Sequence, residues 1–149
     1  MNGQALPVEH GFPVRVVVPG LYGYVSATKW VVDLEVTRFA DVTAFWTERG
    51  WGERGPVKTQ SRIDVPRDGE SLAPGRVALG GVAWAQHTGI AKVEVQVDGG
   101  AWQEAELGGV PDDDTWVQWL LRPRLDAGGH EVGERATAKS GYTQSPIHI

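Results

Sequence analysis

Three side chains near the beginning of the chain carry groups that bind anions. His10 and Arg15 lie close together in the sequence, and Lys29 follows a stretch that contains Gly20 and Gly23. Arginine and lysine pair with phosphate oxygens, and histidine donates from either ring nitrogen. Glycines let a backbone approach such a group closely. By their chemistry these groups could hold an anion such as a phosphate, and ordinary surface charges are the simpler interpretation of the segment.

Signatures of other catalytic or metal sites are missing from the sequence. The four histidines show no H-x-x-x-H spacing, no G-x-S-x-G motif occurs, and the chain has no cysteine. Disulfides, thiolate metal sites and cysteine nucleophiles are thereby excluded within it. The acidic run at 112–114 lacks the spaced ligands of a calcium loop, so a solvated loop is the simpler interpretation. We predict no catalytic residue and no metal ligand.

Size and composition fit one ordinary globular domain, or one domain plus a fragment of another. The chain has 149 residues, of which 41% are hydrophobic and 22% charged. No apolar run approaches the ~20 residues of a membrane span. The net charge is -5 and no Lys/Arg stripe occurs, which argues against a nucleic-acid partner. The 20 glycines, 9 prolines and 7 tryptophans favour short strands packed around indole rings.

Alternating apolar and polar residues predict an all-β fold for residues 56–149. The clearest strand is 91–98, and the Asp-Gly-Gly at its end predicts a hairpin over 92–107. Several short strands without long helical patterns favour an immunoglobulin-like antiparallel β-sandwich. The other strands are predicted at 57–64, 76–84, 115–122 and 130–139. The predicted core consists of Trp84, Val93, Val95, Val97 and one of Trp116 or Trp119, which lie on opposite faces of their strand.

Three further segments carry specific structural expectations. Residues 15–18 read as a short buried strand or extended piece. Residues 30–37 alternate, which predicts a half-buried strand with Trp30 on its apolar face. In the last strand Glu134 falls on the apolar side, so we expect a bulge or an edge position there.

Residues 1–20 read M-N-G-Q-A-L-P-V-E-H-G-F-P-V-R-V-V-V-P-G, and residues 28–30 read Thr-Lys-Trp. Both stretches resemble the sulfite oxidase family of molybdopterin-dependent oxidoreductases. The resemblance implies that His10, Arg15 and Lys29 bind the molybdopterin cofactor around its phosphate end. Further similarity to the family's immunoglobulin-like dimerisation domain is found at 58–64, 81–84, 93–107 and 116–119. Residues 1–55 would then be the C-terminal remnant of the molybdopterin-binding α+β catalytic domain, and residues 56–149 the dimerisation domain.

The resemblance implies the C-terminal portion of a bacterial sulfite-oxidase-like enzyme that performs two-electron oxygen-atom transfer at molybdenum. The family binds molybdenum through a cysteine upstream of H-G-F-P, so we expect this chain alone to hold no cofactor and to be inactive. The implied partners are the rest of the catalytic domain, a second copy in a homodimer, and an unknown electron-transfer partner.

Other properties stay open at this point. Animal sulfite oxidases carry an arginine before Lys-Trp where this chain reads Tyr-Val-Ser-Ala, so sulfite, nitrate and sulfoxides all remain candidate substrates. Cell location is open, and a membrane anchor or an extracytoplasmic location of the parent is an alternative. The alternative function is a free-standing immunoglobulin-like binding or adhesion module.

Overall fold

A computed structural model of the chain describes residues 3–144 and the backbone of residues 147–148. The chain divides into two compact units, Met1–Val57 and Lys58–Ile149. In its described part the first unit contains one short α-helix, α1 (Gly23–Ser26), and single turns of 3-10 helix at Val8–His10 and Thr47–Arg49. None of the helices in the described residues is long and apolar enough to cross a membrane.

The second unit is built from short antiparallel strands. They are β1 (Gln60–Val65), β2 (Gly75–Arg76), β3 (Leu79–Trp84), β4 (Ile90–Val97), β5 (Gln103–Glu104), β6 (Glu106–Leu107), β7 (Val117–Leu121), β8 (Arg124–Leu125), β9 (Val132–Ala138) and β10 (Ile147–His148). One four-stranded sheet has the order β1-β3-β7-β6, and the other has the order β10-β9-β4-β5. Strands β2 and β8 form a separate pair. The all-β prediction is confirmed.

The hydrophobic core lies between the two four-stranded sheets. Val93 and Val95 of β4 are fully buried, and Trp119 of β7 is 2% exposed, as the alternation predicts. Val97 is only partly buried but packs against the core. Trp84 is also only partly buried, so its predicted place in the core is wrong. It alternates with the buried Ala83 and Ala85 and therefore points away from the core.

The predicted hairpin over 92–107 is formed by β4 and β5 but does not include β6. Glu94 pairs with Glu104, as a hairpin requires. Strand β6 instead pairs with β7 in the other sheet, so the chain changes sheets at the buried Ala105. A register shift near the start of β4 also turns Ala91 outward and brings Ile90 into the core. Period-2 alternation alone could not show this shift.

Glu134 lies in β9 with neither the expected bulge nor an edge position, since β9 lies between β10 and β4. The pairing of β9 with β4 is continuous from Val132 to Thr137, and Glu134 faces inward and is fully buried. Ser61 of β1 donates a hydrogen bond to its carboxyl group. Buried polar groups are tolerated when they are hydrogen-bonded, so the contact with Ser61 explains a glutamate in the core.

The first unit differs from the sequence prediction in its strands. Residues 31–38 form no strand, and Val32, Leu34 and Val36 are 98%, 80% and 96% exposed. Residues 15–18 form only a single bridge, between Val16 and Thr28, and the valines that follow Val16 are exposed. Among residues 3–57 the buried positions are glycines and one serine. The described part of this unit thus contains no buried large apolar side chain.

Candidate anion-binding site

The H-G-F-P-V-R motif begins in the 3-10 turn Val8–His10, called the 8–10 turn below. The carbonyl of Pro7 accepts hydrogen bonds from the backbone N–H groups of His10 at 3.0 Å and Phe12 at 3.3 Å. Gly11 ends the turn with a φ of 114°, which side chains rarely adopt. Proline restricts the entry to the turn and glycine permits the exit, so the local sequence accounts for this conformation.

Three consecutive carbonyl groups of the 8–10 turn accept hydrogen bonds from side chains outside it. The pairs are Trp30 Nε1 to Val8 O at 2.7 Å, Lys29 Nζ to Glu9 O at 3.0 Å, and Arg15 Nη1 to His10 O at 3.4 Å. The last carbonyls of a helical turn have no partner within it and attract cations. The turn therefore gathers the two cations that the sequence predicts beside His10.

Gly11 allows the stems of the two cations to pack closely. A Cβ at this position would lie 3.0 Å from Cβ of Arg15 and 3.4 Å from Cβ and Cγ of Lys29. Gly11 is buried, whereas both cations are exposed. The missing side chain thus permits both the φ of the turn and the approach of Arg15 and Lys29 to it.

The charges of Arg15 and Lys29 are not neutralised in the described part of the chain. Neither forms an ion pair with a carboxylate there, and their hydrogen bonds go to neutral carbonyls. Lys29 uses one of its three donors and Arg15 one of its five, so both retain donors for an anion. His10 is exposed at the end of the same turn. This donor set fits a phosphate group.

Sequence reasoning missed the contribution of Trp30. The residue has a φ of 54°, and its side chain turns back to the 8–10 turn instead of entering a strand face. The Lys-Trp pair drew attention to Lys29, but period-2 alternation assigned Trp30 to a strand. A left-handed residue without glycine or asparagine leaves no clear signal in a sequence.

Comparisons with known proteins show the family of the chain. Residues 1–46 match the family model described as an oxidoreductase molybdopterin binding domain. Mitochondrial sulfite oxidase of Homo sapiens is 34% identical over 170 residues, which cover 98% of this chain and 31% of the human protein. The chain belongs to the sulfite oxidase family. Sulfite oxidase of Arabidopsis thaliana is 33% identical over 153 residues, covering 85% of this chain and 39% of the plant protein.

A solved structure is also similar to this chain over nearly its whole length. The sulfane dehydrogenase SoxCD from Paracoccus pantotrophus superposes with a TM-score of 0.68 at 28% identity, over 96% of this chain and 40% of that chain. The chain thus spans well under two thirds of the length of these relatives. Membership of the sulfite oxidase family implies a molybdenum cofactor in the parent protein. Within the described residues, no group of three His, Asp or Glu side chains is arranged to hold a metal ion.

Proposed function

We propose that this chain is the C-terminal portion of a bacterial sulfite-oxidase-like molybdoenzyme. In a segment that matches a molybdopterin-binding domain, Arg15 and Lys29 reach the same 8–10 turn with their charges unpaired by carboxylates. Arg15 and Lys29, together with His10 at the end of the turn, can bind a phosphate, and we call these three residues the phosphate clamp. The first unit would bind the phosphate end of molybdopterin, together with the rest of the catalytic domain.

When bound, the molybdenum cofactor supplies the two-electron redox chemistry of oxygen-atom transfer. The residues of this chain bind and orient it. Arg15 offers a planar fork that matches two phosphate oxygens, and Lys29 offers its remaining protons as a point charge. His10 adds a ring donor at the end of the turn. Their common role is to fix the position of the phosphate and to neutralise its charge.

The second unit would supply the dimer interface of the parent. Trp116 is 43% exposed and packs against Trp84, with 5.0 Å between the ring centroids and an angle of 33° between the rings. Exposed aromatic pairs of this kind are typical of protein–protein interfaces. A free-standing binding module is disfavoured, because the similarity to human sulfite oxidase covers 98% of the chain. The electron-transfer partner and the substrate of the parent are left open by this proposal.

A titration of the isotope-labelled chain with inorganic phosphate at low ionic strength tests the clamp. We expect saturable shifts of the Arg15 Nε–H and His10 ring signals in NMR spectra. Arg15→Ala and Lys29→Ala should each weaken binding about tenfold, because each removes a charge-assisted hydrogen bond. Arg38→Ala is the matched control, since Arg38 is an exposed arginine of the same unit. Equal losses in all three variants, or no saturation, would contradict the proposal.

A further inference from the structure

We infer that Trp30 is a positioning residue, which holds Lys29 against the 8–10 turn in the geometry that binds phosphate. The inference rests on the proposed function of this site. Its basis is the hydrogen bond from Trp30 Nε1 to Val8 O at 2.7 Å, beside the bond from Lys29 Nζ to Glu9 O at 3.0 Å. Two adjacent residues thus donate hydrogen bonds to two adjacent carbonyls of one turn.

Trp30 acts through its neighbours because it has no donor left for a ligand. An indole carries a single N–H, and in Trp30 this group is used by the Val8 carbonyl. The side chain is neutral and brings no charge to a phosphate. Lys29 and Arg15, in contrast, keep free donors after contacting the turn. Trp30 therefore belongs to the scaffold of the clamp.

The backbone conformation of Trp30 makes this arrangement possible. In an extended chain, consecutive side chains point to opposite sides, so Lys29 and Trp30 could not both reach the 8–10 turn. The φ of 54° at Trp30 breaks that alternation. Backbone hydrogen bonds hold the segment on either side of it, from Val16 N to Thr28 O at 2.9 Å and from Val31 N to Val14 O at 3.2 Å. The unusual conformation is thereby fixed from both directions.

The indole ring also contacts the lysine whose position it helps to set. Nζ of Lys29 lies 4.7 Å from the centroid of the Trp30 ring, within the range of a cation–π interaction. Trp30 is 52% exposed, so burial of apolar surface does not account for its place. The ring and the Glu9 carbonyl together restrict Nζ of Lys29 to one side of the turn. A preordered cation loses less entropy when an anion binds.

Two substitutions separate the indole N–H from the backbone conformation. Trp30→Phe keeps a ring and removes the donor, and Trp30→Gly keeps access to the left-handed conformation and removes the side chain. We expect each to weaken inorganic phosphate binding about fivefold, the scale of one neutral hydrogen bond. Trp51→Phe is the matched control, because Trp51 is 51% exposed in the same unit and contacts aromatic rings instead of the 8–10 turn. Its affinity should equal that of the wild type.

A double-variant cycle shows whether Trp30 acts through Lys29. In the Lys29→Ala background, Trp30→Phe should change the phosphate dissociation constant by less than about twofold, since the group it positions is gone. A full loss in that background would overturn the positioning role. If the amide NMR signals of the first unit lose their chemical-shift dispersion in Trp30→Phe, that variant is unfolded there. The double-variant cycle with Lys29→Ala is then decided by Trp30→Gly.

The experiment also separates this inference from the proposed function. Wild-type binding with an unchanged affinity in both Trp30 variants would overturn the inference and leave the phosphate clamp intact. Failure of the wild-type chain to bind phosphate would overturn both. The Trp30 indole proton provides a second readout without ligand. Its solvent exchange should be slower than that of Trp51, and equal rates would contradict the hydrogen bond to Val8 O.

Discussion

Ser61 in β1 donates a hydrogen bond to the buried carboxyl group of Glu134 in β9, and this contact joins the two four-stranded sheets across their core. Both residues are buried, with Glu134 fully removed from solvent. A carboxyl group in such a place is costly unless it is hydrogen-bonded. Ser61 therefore helps to accommodate Glu134, although neither residue would be assigned to a core by its type alone.

Removal of the Ser61 hydroxyl should destabilise the second unit. We expect Ser61→Ala to lower the free energy of unfolding by ~1–3 kcal/mol, because the Glu134 carboxyl group loses a buried donor. Urea denaturation followed by tryptophan fluorescence would measure the change. Ser71→Ala in the exposed loop before β2 is the control and should leave the midpoint unchanged. Equal stability of the two variants would show that Ser61 contributes nothing to the burial of Glu134.

The two tryptophans of the β7 region should differ sharply in their effect on stability. Trp119 is 2% exposed within the core, and Trp119→Ala should cost ~3–5 kcal/mol through the cavity it leaves. Trp116 is 43% exposed, so Trp116→Ala should cost clearly less in the same urea measurement. A larger loss for Trp116 than for Trp119 would mean that the face assignment of β7 is wrong.

The ion pair between Asp98 and His130 should make stability depend on pH. Their side chains are 2.7 Å apart. The hydrogen bond from His130, with a further one from the backbone N–H of Glu131, lowers the pKa of Asp98 below its ordinary 3.8. The hydrogen bond to Asp98, helped by the carbonyl of Asp126, raises the pKa of His130 above its ordinary 6.5.

These directions define the pH window of the Asp98–His130 contribution. The raised pKa of His130 stabilises the fold at pH values below 6.5, and this part is lost as pH rises through the folded-state pKa. The lowered pKa of Asp98 stabilises above pH 3.8, and this part is lost as pH falls through its folded-state pKa. The difference in melting temperature between wild type and His130→Gln should therefore be greatest between these two values. Asp98→Asn should give the same profile, and a pH-independent difference would contradict the pair.

The sequence predicts the second unit better than the first for a physical reason. In β4, Val93 and Val95 alternate towards a core that lies within the same unit, so periodicity reports their burial correctly. Val32 and Val36 alternate equally well but remain exposed, because the described residues provide no sheet or core for them. The alternating pattern also does not reveal a local shift in strand register, such as the one that turns Ala91 outward.

The sequence predicts which charged residues form the anion site but not the contacts that bring them together. Residue type and the family resemblance identify Arg15 and Lys29, and the structure brings both to one turn. Their assigned contact with molybdopterin remains a prediction. Trp30 could not be identified in this role, since its positive φ and its bond to Val8 O depend on contacts between segments far apart in sequence.

Hydrogen exchange should distinguish the two units. We predict fast amide exchange over residues 3–28, because the first unit buries no large apolar side chain in its described part. Strands β3, β4 and β9 should exchange slowly, since they lie within hydrogen-bonded sheets over the core. Mass spectrometry of deuterated peptides would measure both sets of rates. Protection of 3–28 equal to that of β4 would show that the unit is stable without a core of its own.

Cofactor retention in the intact parent should depend on Arg15. We expect Arg15→Ala to lower molybdopterin content, because a phosphate would lose a charge-assisted hydrogen bond worth ~1.5–3 kcal/mol. Molybdopterin content can be measured by its fluorescent oxidation product, with the Arg38→Ala parent as the control. Normal content in the Arg15→Ala parent would contradict the role proposed for this residue.

The intact parent should be a homodimer with the second unit at its two-fold interface. Trp119 occupies the core, so Trp116 is left on the opposite face, packed against Trp84. A two-fold contact is the commonest way to cover such a patch in an oligomer, although a loop or the catalytic domain would also cover it.

The area of the dimer interface determines which oligomeric state should be observed in solution. Stable interfaces bury more than ~1,000 Å², and part of this area would belong to segments outside the chain, so the chain itself should be monomeric or weakly dimeric. Trp116→Ser should weaken the dimer of the parent in sedimentation velocity, because it removes a central aromatic side chain. Trp102→Ser is the control, since Trp102 packs under Arg135 with 4.3 Å between the guanidinium carbon and the ring centroid. A parent that sediments as a monomer at micromolar concentration would exclude the homodimer, and a dimer unaffected by Trp116→Ser would place its interface elsewhere.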